Sequence, residues 1–153
     1  MLYFAYGSNL NHFQMRRRCK DSVFLKKINL RNFKLTFRSK YRAADIEPKK
    51  NSIVPGGLFE ISKSDEKKLD IYEDYPILYK KYYFSYYGKK VMTYTMVKKT
   101  IFMFPTDKYF NIVKKKNINF LGNYFVNCNI YIKHEWNFFS QIRDLKFCSY
   151  FCK

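Results

Sequence analysis

The sequence is poor in the residues from which many catalytic centres are built. It has two histidines, His12 and His134, and four cysteines, Cys19, Cys128, Cys148 and Cys152. None of the cysteines forms a C-x-x-C pair, so zinc spacing is absent and no metal site is expected. Free thiols in a reducing compartment are the expectation instead. Glycine is scarce as well, with 5 residues, and neither G-x-G-x-x-G nor G-x-x-x-x-G-K occurs, so no phosphate-cradling motif is present. No apolar run approaches the roughly 18 residues of a membrane span. The first residues, Met1-Leu2-Tyr3-Phe4-Ala5-Tyr6, lack the basic n-region of a secretory signal. A cytoplasmic chain with no membrane partner is expected.

Acidic residues are few: 12 Asp and Glu against 30 Lys and Arg, a formal net charge of +18. Such a field attracts polyanions. The basic clusters, Arg16-Arg17-Arg18 and Lys114-Lys115-Lys116, are short, and the remaining basic residues are spread along the chain. Lys, Asn, Ile, Phe and Tyr, the residues of A/T-rich codons, are all abundant. The charge therefore reads as compositional bias, and no specific nucleic-acid partner is expected.

What the chain has in plenty is apolar and aromatic side chain, 47% and 21% of 153 residues, enough for one domain with one core. Leu2 to Tyr6 reads as a buried strand that breaks at Gly7-Ser8-Asn9. Asn9 or Asn11 caps a short helix running to about Arg18. Phe33, Leu35 and Phe37 alternate with polar residues as in a half-buried strand. Ser52 to Ile61 reads as another, with a bulge or a close backbone approach at Pro55-Gly56-Gly57. Ser62 caps a helix that carries Leu69 and Tyr72 on one face and is expected to stop at Pro76. Leu78–Tyr87 and Lys90–Lys98 form a hairpin around Gly88. Thr106 opens a last helix with Tyr109, Phe110, Ile112 and Val113 on one stripe. After about Asn117 the pattern fades. A mixed α+β domain follows from this order.

Two segments can carry chemistry. A glycine directly after a buried strand, in Tyr6-Gly7-Ser8-Asn9-Leu10, permits a left-handed nest whose amides hold a carboxylate or oxyanion. A plain turn with Asn9 as a cap remains open on these residues alone. In Leu69-Asp70-Ile71-Tyr72-Glu73-Asp74, Glu73 falls at a helix end, against the negative end of the dipole. Burial among Tyr72, Tyr75 and Tyr79 would raise its pKa to where a general acid/base works. A solvated acidic run is the alternative.

Leu2-Tyr3-Phe4-Ala5-Tyr6-Gly7-Ser8-Asn9-Leu10 resembles the signature of the gamma-glutamylcyclotransferase-like family, which includes the plant avirulence-induced proteins. The likeness continues through Gln14-Met15, Arg18-Cys19, Ala44-Asp45-Ile46, the Val54–Ile61 strand, Leu69-Asp70-Ile71-Tyr72-Glu73, Tyr79, and Pro105 with Tyr109. It implies a small closed or nearly closed β-barrel flanked by helices, in a domain of residues 1–116; the divergent tail, 117–153, has no counterpart in the resemblance, and its Tyr, Phe and Ile are too many for a solvated segment, so it is expected to pack on the same domain. It implies cleavage of a gamma-glutamyl amide by cyclisation, with release of 5-oxoproline. Glu73 takes the catalytic position, Tyr6 to Leu10 the substrate loop, and Tyr79 and Tyr109 line the pocket. No cofactor is implied, and a monomer or homodimer is expected. Asp74 departs from the family, where a small residue commonly follows the glutamate. A gamma-glutamylamine as substrate, or a non-catalytic binding protein on the same scaffold, are the alternatives.

Overall fold

Leu2–Ala5 forms β1, a short strand buried along almost its whole length, which suits a place in the middle of a sheet. The structure, a computed structural model, describes residues 1–107. After β1 come a single 3-10 turn (Ser8–Leu10), α1 (His12–Arg18), β2 (Val23–Arg38), β3 (Ala43–Glu60), α2 (Lys63–Tyr72), β4 (Tyr79–Tyr86) and β5 (Lys89–Met96). The five strands lie in the order β2-β3-β1-β5-β4. β1 runs antiparallel to β3 and parallel to β5.

The mixed α+β class is as expected, and the five-stranded sheet is not closed into a barrel. β2 and β4 are the sheet's edges and do not pair. Their side chains nevertheless meet: Phe33 of β2 packs on Tyr82 of β4, with ring centroids 5.5 Å apart. Phe33, Leu35, Phe84 and Tyr86 also pack on one buried cluster, which includes Phe4, Ile46, Val54 and Leu58. Side-chain alternation along β1 sends Phe4 into that cluster. Tyr3 points to the other face, against Phe59 and Tyr94.

Three local expectations need correction. β2 begins at Val23 and β3 at Ala43, both well before the strands read from sequence. No bulge falls at Pro55-Gly56-Gly57; pairing is regular from Lys26↔Leu58 to Arg31↔Ile53, and the register shifts lie on β2, between Phe24 and Lys26 and between Arg31 and Phe33. The other half of that expectation holds, since a Cβ on Gly56 would stand 2.3 Å from the Phe4 ring and 2.4 Å from the Ala5 carbonyl oxygen. α2 ends at Tyr72, not at Pro76. Tyr75 N donates to Asp70 O and Asp74 N to Ile71 O, the paired bonds that close a helix on a left-handed residue, here Asp74 at φ 50°.

The caps are as read. Asn11, one of the two candidates, accepts from Phe13 N and Gln14 N. Ser62 Oγ accepts from Asp65 N at 3.1 Å. The β4–β5 hairpin turns on Tyr87 and Gly88, both at positive φ, as a two-residue turn of the tighter kind requires. Asp45, fully buried, accepts from Met96 N at 2.9 Å and from Lys99 Nζ at 2.8 Å. That ties the start of β3 to the end of β5 beside Ala44. The helix read around Tyr109 and the tail after Asn117 lie outside the described residues.

Candidate active site

The site is built where β1 ends and α2 ends. Tyr3, Tyr6, Gly7, Ser8, Asn9, Ala44, Glu73, Tyr79 and Tyr94 line one concavity. Its inner space is about 30 Å³, room for ordered water or a small polar group.

Glu73 is the C-cap of α2, held by Glu73 N donating to Leu69 O at 2.8 Å. Its Oε1 accepts from Asn9 Nδ2 at 2.9 Å. The same nitrogen donates to the Tyr3 hydroxyl, also at 2.9 Å. Burial pushes the Glu73 carboxyl up to about 7; the Asn9 bond and the charge of Arg18 act the other way and do not cancel it. The burial expected from Tyr72 and Tyr75 is supplied differently, since both are exposed. Tyr3, Tyr79 and Tyr94, all buried, form the walls instead. Asp74, which follows, is exposed.

Tyr3 is 3% exposed, and burial is the main reason its phenol is raised well above the ordinary range. It accepts from Asn9, which leaves its own proton to donate into the concavity. Tyr6 and Tyr79 are anchored elsewhere. Tyr6 OH donates to Tyr94 O at 2.7 Å and Tyr79 OH to Ala44 O at 2.6 Å, so these two rings shape the wall.

The loop is not a left-handed nest. Gly7 has φ −113°, and the chain winds on into the 3-10 turn with Leu10 N donating to Gly7 O. No side chain caps that turn. Ser8 Oγ lies 3.2 Å from the Tyr72 hydroxyl. Of the residues read as substrate-binding, Tyr6, Gly7, Ser8, Asn9 and Tyr79 come together with Glu73. Leu10 does not: it is 2% exposed and belongs to the core. Tyr109 lies outside the described residues. Sequence reasoning missed Tyr3, Tyr94 and Arg18. The period-two alternation of β1 was the signal for Tyr3, because it turns Tyr3 away from Phe4.

The concavity thus brings together a carboxyl raised to about 7, the buried Tyr3 hydroxyl and an uncapped turn. The chain belongs to the family described as gamma-glutamyl cyclotransferase, AIG2-like, whose model matches residues 3–118. A solved structure described as a gamma-glutamyl cyclotransferase is similar, with TM-score 0.63 and 24% identity over 77% of this chain and 78% of that one. The uncharacterized protein loc79017 from Homo sapiens gives TM-score 0.63 at 25% identity, covering 77% of this chain and 78% of that one. YkqA from Bacillus subtilis gives 0.62 at 20% identity, over 76% of this chain but 48% of that longer protein. None of the curated proteins matches the sequence.

Proposed function

We propose that the chain is a gamma-glutamyl cyclotransferase, which closes a gamma-glutamyl amide to 5-oxoproline and frees an amino acid or amine. The observation that carries this reading is the Glu73 carboxyl, half-buried in the concavity and raised to about 7.

The substrate's own α-amine is the nucleophile, so the reaction needs no serine or cysteine. Glu73 takes a proton from that amine as its nitrogen bonds to the γ-carbonyl carbon. Negative charge grows on the carbonyl oxygen, for which the amides of the uncapped turn and the Tyr3 hydroxyl are the nearest candidate donors. The bond to the leaving nitrogen then breaks, and Glu73 hands the proton to it. The carboxyl ends as it began, and the step requires neither metal nor cofactor. An ordinary carboxylate, near 4.5, is a poor base for an amine proton; one near 7 serves both halves of the transfer. Holding the glutamyl group folded brings amine and carbonyl together and removes much of the entropic barrier.

The test is to incubate the protein with a panel of gamma-glutamyl amino acids and gamma-glutamylamines and to assay 5-oxoproline. Product that depends on Glu73 is expected from at least one class, and the panel separates an amino-acid from an amine leaving group. No product from any member would overturn the reading.

A further inference from the structure

We propose that Arg18 is a positioning residue for Glu73, acting through Asn9, whose side-chain amide it locks in the one orientation that donates to the carboxylate. This rests on the reading of Glu73 as the acid/base.

Arg18 is the last residue of α1, and no ion pair within 4 Å joins it to Glu73 among the described residues. It reaches the carboxylate through one intermediary. Arg18 Nη1 donates to Asn9 Oδ1 at 2.5 Å, and Asn9 Nδ2 donates to Glu73 Oε1 at 2.9 Å. A side-chain amide fits its pocket either way round, and its partners decide which way. A guanidinium has donors and no acceptor, so the atom facing Arg18 must be the amide oxygen. The –NH₂ group then has to face Glu73 and Tyr3, where its two protons are used. Were the amide reversed, an oxygen lone pair would face the carboxylate.

The guanidinium is itself fixed on two further sides. Nη2 donates to Gln14 Oε1 at 3.1 Å, one helical turn back along α1. The Cζ atom lies 3.6 Å over the Tyr72 ring, and the Tyr72 hydroxyl meets Ser8 Oγ in the loop. A planar fork with a stacking face makes all three contacts; a lysine ammonium cannot. Around Glu73 the other titratable groups are the phenols of Tyr3 and Tyr6 beside β1, Tyr79 of β4 and Tyr94 of β5. Asp70 of α2 is engaged by Tyr94 and Lys81. Arg18 supplies the positive charge that acts on Glu73. Loss of that charge and reversal of Asn9 both favour the protonated carboxyl, so they push its titration the same way.

The experiment compares Arg18→Ala, Arg18→Lys and, as a control on α1, Arg16→Met. Two readouts are used: the pH profile of turnover, and the Glu73 carboxyl followed by carbon NMR, its signal assigned by loss in Glu73→Gln. Folded Arg18→Ala should lose kcat up to about a hundredfold with KM little changed. Its Glu73 titration and the acid limb of its profile should both move up by about one pH unit. Millimolar guanidinium should restore part of its kcat. Arg18→Lys keeps the charge and should titrate near wild type, yet still turn over slowly; it also serves if Arg18→Ala does not fold. Arg16→Met should resemble wild type in both. A folded Arg18→Ala in which Glu73 titrates as in wild type overturns the proposal, as does an Arg18→Lys with full turnover. If the wild-type protein makes no 5-oxoproline, the functional reading fails, and the NMR titration still decides the role of Arg18.

Discussion

Glu73 sits where ionisation works against folding. Burial raises its folded-state carboxyl to about 7 from an ordinary 4.5. Between those values the folded protein holds a proton that the unfolded chain has released, so stability falls as pH rises through that window. Glu73→Gln removes the titrating group while keeping an oxygen for Asn9. The variant is therefore expected to be more stable than wild type at pH 8, by about 1–3 kcal/mol, and to gain nothing near pH 4. Urea unfolding at the two pH values checks this; equal stability at both would mean the carboxylate is solvated. The same variant should lose about 10²- to 10⁴-fold in turnover, because an amide cannot carry the proton. Near-wild-type turnover would remove Glu73 from the mechanism. At this scale the sequence was informative about Glu73, Asn9 and the turn, because local spacing places a glutamate at a helix end and a glycine after a strand. It was silent on Arg18, whose approach to Asn9 depends on where α1 comes to rest. It misled on Leu10, an apolar residue beside the site that faces the core.

Among the elements, the strands give the strongest constraint on sequence. At Gly56, β3 passes so close to β1 that even a methyl group has no room. Gly56→Ala should cost about 2–4 kcal/mol, since one of the two opposing groups is the backbone carbonyl of Ala5, which cannot turn aside. A melting temperature within a degree or two of wild type would show that β1 and β3 separate easily. The hairpin turn invites the opposite result. Tyr87 is 87% exposed and held at φ 48°, where a bulky residue is strained. Tyr87→Asn should stabilise by about 0.5–1 kcal/mol, because asparagine tolerates the left-handed region and favours this turn. The check is the denaturation midpoint, and a lowered midpoint would mean the Tyr86–Tyr87 ring contact outweighs the strain. Caps and the hairpin could be read directly, since one residue type satisfies each geometric need. The early halves of β2 and β3 could not. The stretch Glu47-Pro48-Lys49-Lys50-Asn51 is polar and mostly exposed, with no alternation to read. It is held as strand by pairing with β2, for example Phe33↔Pro48 and Lys34↔Glu47.

For the whole molecule the open question is what a net charge of +18 does. Acidic residues among the described elements are largely engaged: Asp45 with Lys99 and Arg38, Glu47 with Lys34, Glu66 and Asp70 with Lys81. Exposed lysines and arginines are distributed over helices and strands alike. Arg16 and Arg17 lie on α1, Lys26, Lys27 and Arg31 on β2, Lys49 and Lys50 on β3, and Lys67 and Lys68 on α2. A nucleic-acid interface concentrates its charge on one face, where several phosphates are neutralised together and affinity falls steeply with salt. Charge spread over many elements touches only a few phosphates at a time and reads no base edges. The protein is therefore expected to adhere to duplex DNA and RNA in low salt without preference for sequence, and to release them by about 0.2 M salt. Titrating unrelated labelled duplexes across a salt series measures this, with the slope of log affinity against log salt counting the phosphates engaged. A shallow slope, equal for every sequence, is the expected result. Tight binding of one sequence above 0.2 M salt, or a slope corresponding to about six or more phosphates, would instead show a focused interface and a second role for this chain.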